Sequence, residues 1–235
     1  MALPEDRPTD DDRLFLDAIE ALNVGDFSRI QAHFENRETL GRSRSQIEQW
    51  YEEGRFDTRL AALAQAFTCA CMLGRTTVAA FILDKGIDPT RGSETGQTGF
   101  HYAVSGGHLD TAKLLIERKV PLEVKNMYGG TVLDQALWSA IHEPKPDHAI
   151  IIEHLIAAGA NVHAVGGREF VDAVLRRHRA NSEGLDTRPR RSLLQLRLCR
   201  SQLELRWQPQ FRNRLPRRGR GTRRLTILVP SCRAG

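Results

Sequence analysis

The histidines of this chain are the side chains whose type could do chemistry. His101 and Tyr102 lie together in the stretch GQTGFHYAVSGGHLDTAKLLIERK, where an imidazole beside a hydroxyl could act as a general base. A catalytic His101 would need a nucleophile or an acid within reach. The sequence contains no GxSxG, HExxH, GxxxxGK[ST] or GxGxxG motif to supply one. We therefore predict no catalytic residue, no cofactor and a non-enzymatic protein.

A second group of polar residues has the count of a metal site but not its spacing. It comprises His142, His148, His154, Glu143, Asp147 and Glu153. The segment IHEPKPDH holds two prolines, and no two of these histidines stand four apart on a helix. We favour structural or solvated roles and predict no metal site. Cys69 and Cys71, two residues apart on one predicted helix, would point to different faces and are interpreted as buried core thiols.

The elements that would hold these residues recur along the chain. Thr98–Ala103 and Thr131–Ala136 are 33 residues apart, and the same step separates Phe81–Pro89 from Leu114–Leu122. The corresponding stretch His154–Val162 follows 40 residues after the last of these, so the third unit carries a seven-residue insertion around IHEPKPDH. In each unit the pattern predicts a short helix, a glycine turn, a second helix with apolar spacing of three and four, and a polar loop.

This unit resembles the ankyrin repeat. GQTGFHYAVSGGHLDTAKLLIERK is similar to the motif G-x-T-P-L-H-x-A-A-x-x-G-H-x-x-[IV]-V-x-x-L-L, and LIAAGANV is similar to its L-L-x-x-G-A-[DN]-V end. The resemblance implies an all-α solenoid of stacked helix–turn–helix units with hairpin-like connecting turns. In that arrangement Leu83, Leu115 and Leu155 are expected to occupy equivalent places. The resemblance also implies that His101 bonds to backbone in the turns.

The sequence departs from this motif at particular positions. Gly99 and Val132 replace the motif proline, and Asp134 replaces its histidine. Lys119 stands where the helix-ending glycine is expected, which would cost about 1 kcal/mol if its backbone is left-handed.

The resemblance divides the chain into an array at residues 11–180 and a tail at 181–235. The array is predicted to contain a cap at 11–35, an inserted helix at 36–59, repeats at 60–92, 93–125 and 126–165, and a C-terminal cap at 166–180 that matches a second helix. The N-terminus lacks the basic start and apolar stretch of a secretory signal, and no apolar run reaches the length of a membrane span. We expect a cytoplasmic monomer.

Ankyrin arrays mostly bind proteins, so the resemblance implies an unidentified protein partner on a concave face. The repeat frame projects the contact positions Glu94, Thr95, Gln97, Ser105, Lys125, Met127, Tyr128, Trp138 and Ser139. Tyr128 and Trp138 would be the anchors, because exposed aromatic residues contribute strongly to interfaces. The alternative for Trp138 is packing against the insertion at 141–148.

The tail differs in composition from the array. From Asn181 onward the chain has 14 Arg, no Lys and 3 acidic residues. One interpretation is binding of nucleic acid or an anionic surface through these arginines, with Trp207 and Phe211 as stacking groups. A second is a disordered tail, and a third is an out-of-frame extension of a GC-rich gene.

Overall fold

The computed structural model describes residues 9–35, 44–93 and 96–182, and the predicted all-α array is confirmed there. Residues 183–235 of the tail, on which its three interpretations depend, lie outside the described residues. The α-helices of the described part are α1 Asp10–Val24, α2 Gln46–Glu52, α3 Leu60–Met72, α4 Thr76–Asp84, α5 Gly99–Ser105, α6 Leu109–Glu117, α7 Val132–His142, α8 His148–Ala157 and α9 Arg168–Ser182. Short 3₁₀ helices include Phe27–Arg29, Gln31–Phe34 and Val162–Val165.

The helices form two rows. We call α1, α3, α5, α7 and α9 the inner row, and α2, α4, α6 and α8 the outer row. Each helix packs against the next member of its own row, and within the repeats the first and second helices also pack against each other. The result is a stack of helical hairpins in which each unit packs against its neighbours.

Residues one repeat apart fill equivalent core positions. Ala70, Ala103 and Ala136 of the inner row are fully buried, and their small side chains let consecutive helices approach closely. In the outer row, the fully buried equivalents are Ile82, Leu115 and Leu155. The expectation for Leu83 was therefore wrong by one residue: Leu83 is only partly buried against the core.

Helix α3 is buried on nearly all sides, and this explains why a glycine replaces the motif proline in the next unit. A Cβ atom on Gly99 would lie 2.9 Å from Cys71 Sγ and 2.9 Å from Phe67 Cε1. Helix α5 therefore begins so close to α3 that a side chain at position 99 would not fit. Cys69 and Cys71 are confirmed as buried thiols, and burial raises the pKa of both well above the ordinary value.

The N-terminal part of the array has a helix in each row. Ser45 is the N-cap of helix α2 and forms a capping box with Glu48. Helix α2 packs against α4, so it takes the place of an outer helix. Arg55, which follows α2, forms ion pairs with Asp11 and Asp12 of α1. The predicted inserted helix therefore corresponds to α2, which occupies only part of the 36–59 range.

At the other end, the structure corrects the assignment of the last helix. The pattern of residues 167–180 favoured a second helix, whereas α9 packs against α7 and lies in the inner row. Gly166 and Gly167, at φ 111° and 83°, redirect the chain after the 3₁₀ helix. Helix α9 thus follows a loop, as the first helix of a repeat does.

Lys119 has the predicted left-handed backbone, with φ 55°. Gly86 and Gly159 occupy the equivalent positions of the neighbouring repeats with φ 78° and 98°. Glycine takes this conformation at little cost, whereas a side chain with a Cβ atom crowds the following carbonyl. The middle repeat therefore carries a local strain that its neighbours lack.

We predict that Lys119→Gly raises the free energy of unfolding by about 0.5 to 1 kcal/mol, because it removes this strain. Urea denaturation followed by circular dichroism measures the change. Lys119→Ala is the matched control, since it removes the amine but keeps the Cβ atom, and it should not stabilise the protein. Equal stabilisation by both substitutions would contradict the explanation.

Candidate functional site

Two turns with the same hydrogen bonds project from the inner row. In the first, turn A (Ser93–Gln97), the Ser93 N–H donates to the Gln97 carbonyl at 2.9 Å. In the second, turn B (Asn126–Gly130), the Asn126 N–H donates to the Gly130 carbonyl at 3.0 Å. The two turns are 33 residues apart, so the repeat sets their position.

Turn B is held by a buried asparagine. Asn126 is 4 % exposed, and its Oδ1 accepts the backbone N–H groups of Tyr128 and Gly130, each at 3.0 Å. An asparagine oxygen that satisfies two backbone donors fixes the turn without help from a partner. The side chains of Met127 and Tyr128 are therefore presented on a preformed backbone.

Turn A packs directly on turn B. Gly96 has φ 67°, and a Cβ atom there would lie 3.0 Å from the Met127 nitrogen. Glycine is required at this position both for its backbone conformation and for the close approach of the next turn. Gly129, the equivalent residue of turn B, has φ 76° and nothing within 4 Å of such a Cβ atom.

His101 connects helix α5 to turn B. Its Nδ1 accepts the Thr98 N–H at 3.2 Å, and its Nε2–H donates to the Gly130 carbonyl at 3.2 Å. These partners fix a neutral tautomer, and burial lowers the pKa of the fully buried imidazole. His101 thus makes the backbone bonds that the resemblance implied. At the start of α7, Asp134 stands in place of the motif histidine, and its Oδ2 accepts the backbone N–H and the hydroxyl of Thr131.

The predicted contact residues on the turns occupy different environments. Lys125 is exposed, Met127 is 43 % exposed, and Gln97 and Tyr128 are half-buried. Glu94 and Thr95 lie outside the described residues. The structure therefore groups Gln97, Lys125, Met127 and Tyr128 around the two stacked turns.

The predicted contacts on the inner helices require one correction. Ser139 is fully buried: its hydroxyl accepts from Gln135 Nε2 and donates to the hydroxyl of Ser105, each at 3.2 Å. It joins α7 to α5 and cannot contact a partner, whereas Ser105 is half-buried. Trp138 is also half-buried, with its ring 4.7 Å from that of His142, so it packs in part against the insertion.

Comparisons with known proteins match the central part of this fold. Residues 67–116 match the family model described as ankyrin repeats (many copies). Over 60 residues, 26 % of this chain, the sequence is 42 % identical to ankyrin repeat-containing protein P1E11.10 of Schizosaccharomyces pombe. Residues 67–116 are ankyrin repeats. The match covers 29 % of the length of that relative, and ankyrin repeats are generally protein–protein interaction modules.

Other histidines of the ankyrin array join neighbouring units through backbone carbonyls. His108 donates through Nε2 to the Met72 carbonyl at 2.8 Å, and His148 donates in the same way to the Ser105 carbonyl at 3.2 Å. His178 of α9 reaches the Lys145 carbonyl at 2.8 Å. In each bond the histidine comes about one repeat later in the chain than the carbonyl, so the imidazoles connect successive repeats.

The three histidines considered for a metal site have different surroundings. His148 is buried and makes the bond just described, His142 stacks on Trp138, and His154 is half-buried on α8. Across residues 9–35, 44–93 and 96–182, no three His, Cys, Asp or Glu side chains are grouped to hold a metal ion. In the same ranges, no helix combines the length and the apolar character that a bilayer crossing requires.

The repeat pattern of the sequence did not predict a cavity that lies at the N-terminal end of the array. A cavity of about 170 Å³ is lined by Leu22, Asn23, Val24, Gly25, Phe27, Gln65, Ser93 and Tyr102. Tyr102 is half-buried there, and Val24 is 67 % exposed. The signal available in the sequence was the helical spacing of three between Tyr102 and Ser105, which puts both on one side of α5.

Because three of its histidines are buried or half-buried, we predict that the array is sensitive to acid. Burial lowers the pKa of His101, His108 and His148 below the ordinary 6.5, so the unfolded chain binds protons before the folded one does. The free energy of unfolding should therefore be constant above about pH 7 and fall as the pH drops below about 6.5. One histidine contributes at most about 1.4 kcal/mol per pH unit in that window.

Urea denaturation between pH 5.5 and 8 tests this prediction above the titration range of carboxyl groups. His101→Gln keeps an acceptor and a donor but cannot titrate near neutral pH, so its stability should depend less on pH. An unchanged pH dependence in that variant would show that His101 does not contribute.

Proposed function

We propose that the ankyrin array binds a protein partner on its inner face, the side of the inner row that corresponds to the concave face expected from the sequence. The contacts would come from turn B and the adjoining parts of turn A and the inner helices. The observation that supports this most directly is Met127, an apolar side chain 43 % exposed on a turn whose backbone is internally satisfied. The fixed turn holds it in water, and the next residue in the chain is the aromatic Tyr128. A partner that covers these side chains gains the burial that folding does not provide.

The bonds that fix turn B favour recognition by a preformed surface. Asn126 fixes turn B from within, His101 ties it to α5, and turn A packs against it through Gly96. Binding to such a surface does not require the backbone to become ordered, so less of the interaction energy is lost to conformational entropy. Only the side-chain rotamers remain to be fixed.

The chemistry of this face suits a partner with both apolar and acidic groups. Met127, Tyr128 and the half-buried Trp138 offer apolar contact, and exposed Lys125 offers a positive charge at the edge of turn B. Gln97 and Ser105 add polar groups. His101, the histidine that bonds to turn B, donates to a backbone carbonyl, which supports complementarity over catalysis as its role.

The test is capture of partners from a lysate of the source organism by three full-length proteins. These are the wild type, the double variant Tyr128→Ala/Trp138→Ala, and Ile150→Ala, with bound proteins quantified by mass spectrometry. Ile150 is a control for the loss of an apolar side chain elsewhere on the surface, because it is 43 % exposed and lies on outer helix α8. We predict that a specific partner is reduced about tenfold or more with the double variant and unchanged with Ile150→Ala.

Circular dichroism should show that both variants keep the helical content of the wild type. Unchanged capture by the double variant would remove Tyr128 and Trp138 as anchors. A loss with Ile150→Ala alone would place the interface on the outer row.

The second candidate is binding of nucleic acid or an anionic surface through the arginine-rich tail. It is favoured by the 14 Arg and 3 acidic residues from Asn181 onward. Binding of this kind weakens steeply as salt rises, because counterions are released from the ligand. Binding that vanishes at high salt, and on truncation after Ala180, would favour the tail over the inner face.

A further inference from the structure

The outer row of the described structure stops one helix short of the inner row. Inner helices α3, α5 and α7 each pack against the outer helix of the same repeat, while α9 contacts α8 of the preceding one. Between α8 and α9 lies a groove of about 490 Å³. The groove is lined by Glu153, Ile156, Ala157, Arg168, Asp172, Leu175, Arg176 and Arg179.

The repeat register places this groove where a further outer helix would lie. Asp84, at the end of α4, forms an ion pair with Arg118, the residue that follows α6. The residue equivalent to Asp84 at the end of α8 is Ala157, which lines the groove. A position that contacts the next outer helix in an earlier repeat is thus part of the open groove in the last one.

The groove has an apolar floor and a basic side. Ile156, Ala157 and the buried Leu175 supply the floor. Arg179 forms an ion pair with Glu153, and Arg168 pairs with Asp172 at 3.1 Å.

The remaining groove arginine is Arg176. It is exposed, and no carboxylate of the described part of the chain lies within 4.0 Å of it. Arg177, the next residue, is exposed outside the lining, so this end of α9 presents positive charge.

We propose that this groove receives an amphipathic helix of a partner protein, with an apolar stripe flanked by Glu or Asp, as an additional outer helix. The charge favours this occupant over the chain's own tail, which would bring a segment of 14 Arg and 3 acidic residues beside Arg176. It also disfavours a second copy of α9, because like charges would face each other across the contact. Acidic flanks would pair with Arg176 while the apolar stripe covers Ile156.

The test measures fluorescence anisotropy of two labelled synthetic helices with the full-length protein. Both helices have about 16 residues with leucine at helical spacing. One has glutamate and the other lysine at the flanking positions. We predict that the acidic helix binds about tenfold or more tightly than the basic one, and that its affinity falls with added salt.

Three variants locate the binding. Arg176→Glu should weaken the acidic helix about tenfold, while the neighbouring control Arg177→Glu should change its affinity less than about twofold. Ala157→Phe, at an exposed position, should block the floor and abolish binding without loss of helical content. Tyr128→Ala/Trp138→Ala should bind this helix as the wild type does, which separates this surface from the inner face.

Several results would overturn the proposal. Equal binding of both helices, or equal losses in Arg176→Glu and Arg177→Glu, would indicate binding that is not specific to the groove. Binding that appears only after residues 183–235 are removed would identify the tail as the occupant. Self-association of the wild type that Arg176→Glu abolishes would assign the groove to a second copy.

Discussion

The apolar surface shared between successive helical hairpins is the constraint on which the rest of the molecule depends. Ile82, Leu115 and Leu155 are fully buried at equivalent positions, and each belongs to a hairpin too small to bury its own apolar face. Burial of one such side chain contributes about 1.5 to 3 kcal/mol. Stability is therefore a property of neighbouring repeats together, and the spacing between hairpins fixes where every loop begins.

The inner face follows from that spacing. Small residues such as Ala103 let the inner helices approach closely, and this closeness brings turn A onto turn B. Buried polar groups then fix turn B: His101 bonds to the Gly130 carbonyl, and Asn126 satisfies two donors within its own turn. The result is a preformed turn backbone that presents Met127 and Tyr128, a property suited to recognition. The groove between α8 and α9 lies at the end of the outer row in the described part of the chain.

Much of the fold could be predicted because its signals are local and repeat at a fixed step. Threonine caps, helix-ending glycines and the left-handed Lys119 follow from short-range backbone chemistry. The predictions that were wrong depend on which side of a helix faces its neighbour. Ser139 was placed in the contact set, yet it is buried against Ser105, since helical spacing alone does not say which stripe is covered. The row of α9 was missed for the same reason.

The central claim is that each repeat stabilises its neighbours through the shared core, and hydrogen exchange of a Leu115→Ala variant tests it most directly. Removing this buried side chain should cost about 2 to 5 kcal/mol. Helix α6 packs against α4, α5 and α8, so the account predicts faster amide exchange in all four helices, measured by mass spectrometry. Faster exchange confined to α6, with α4 and α8 as protected as in the wild type, would contradict it.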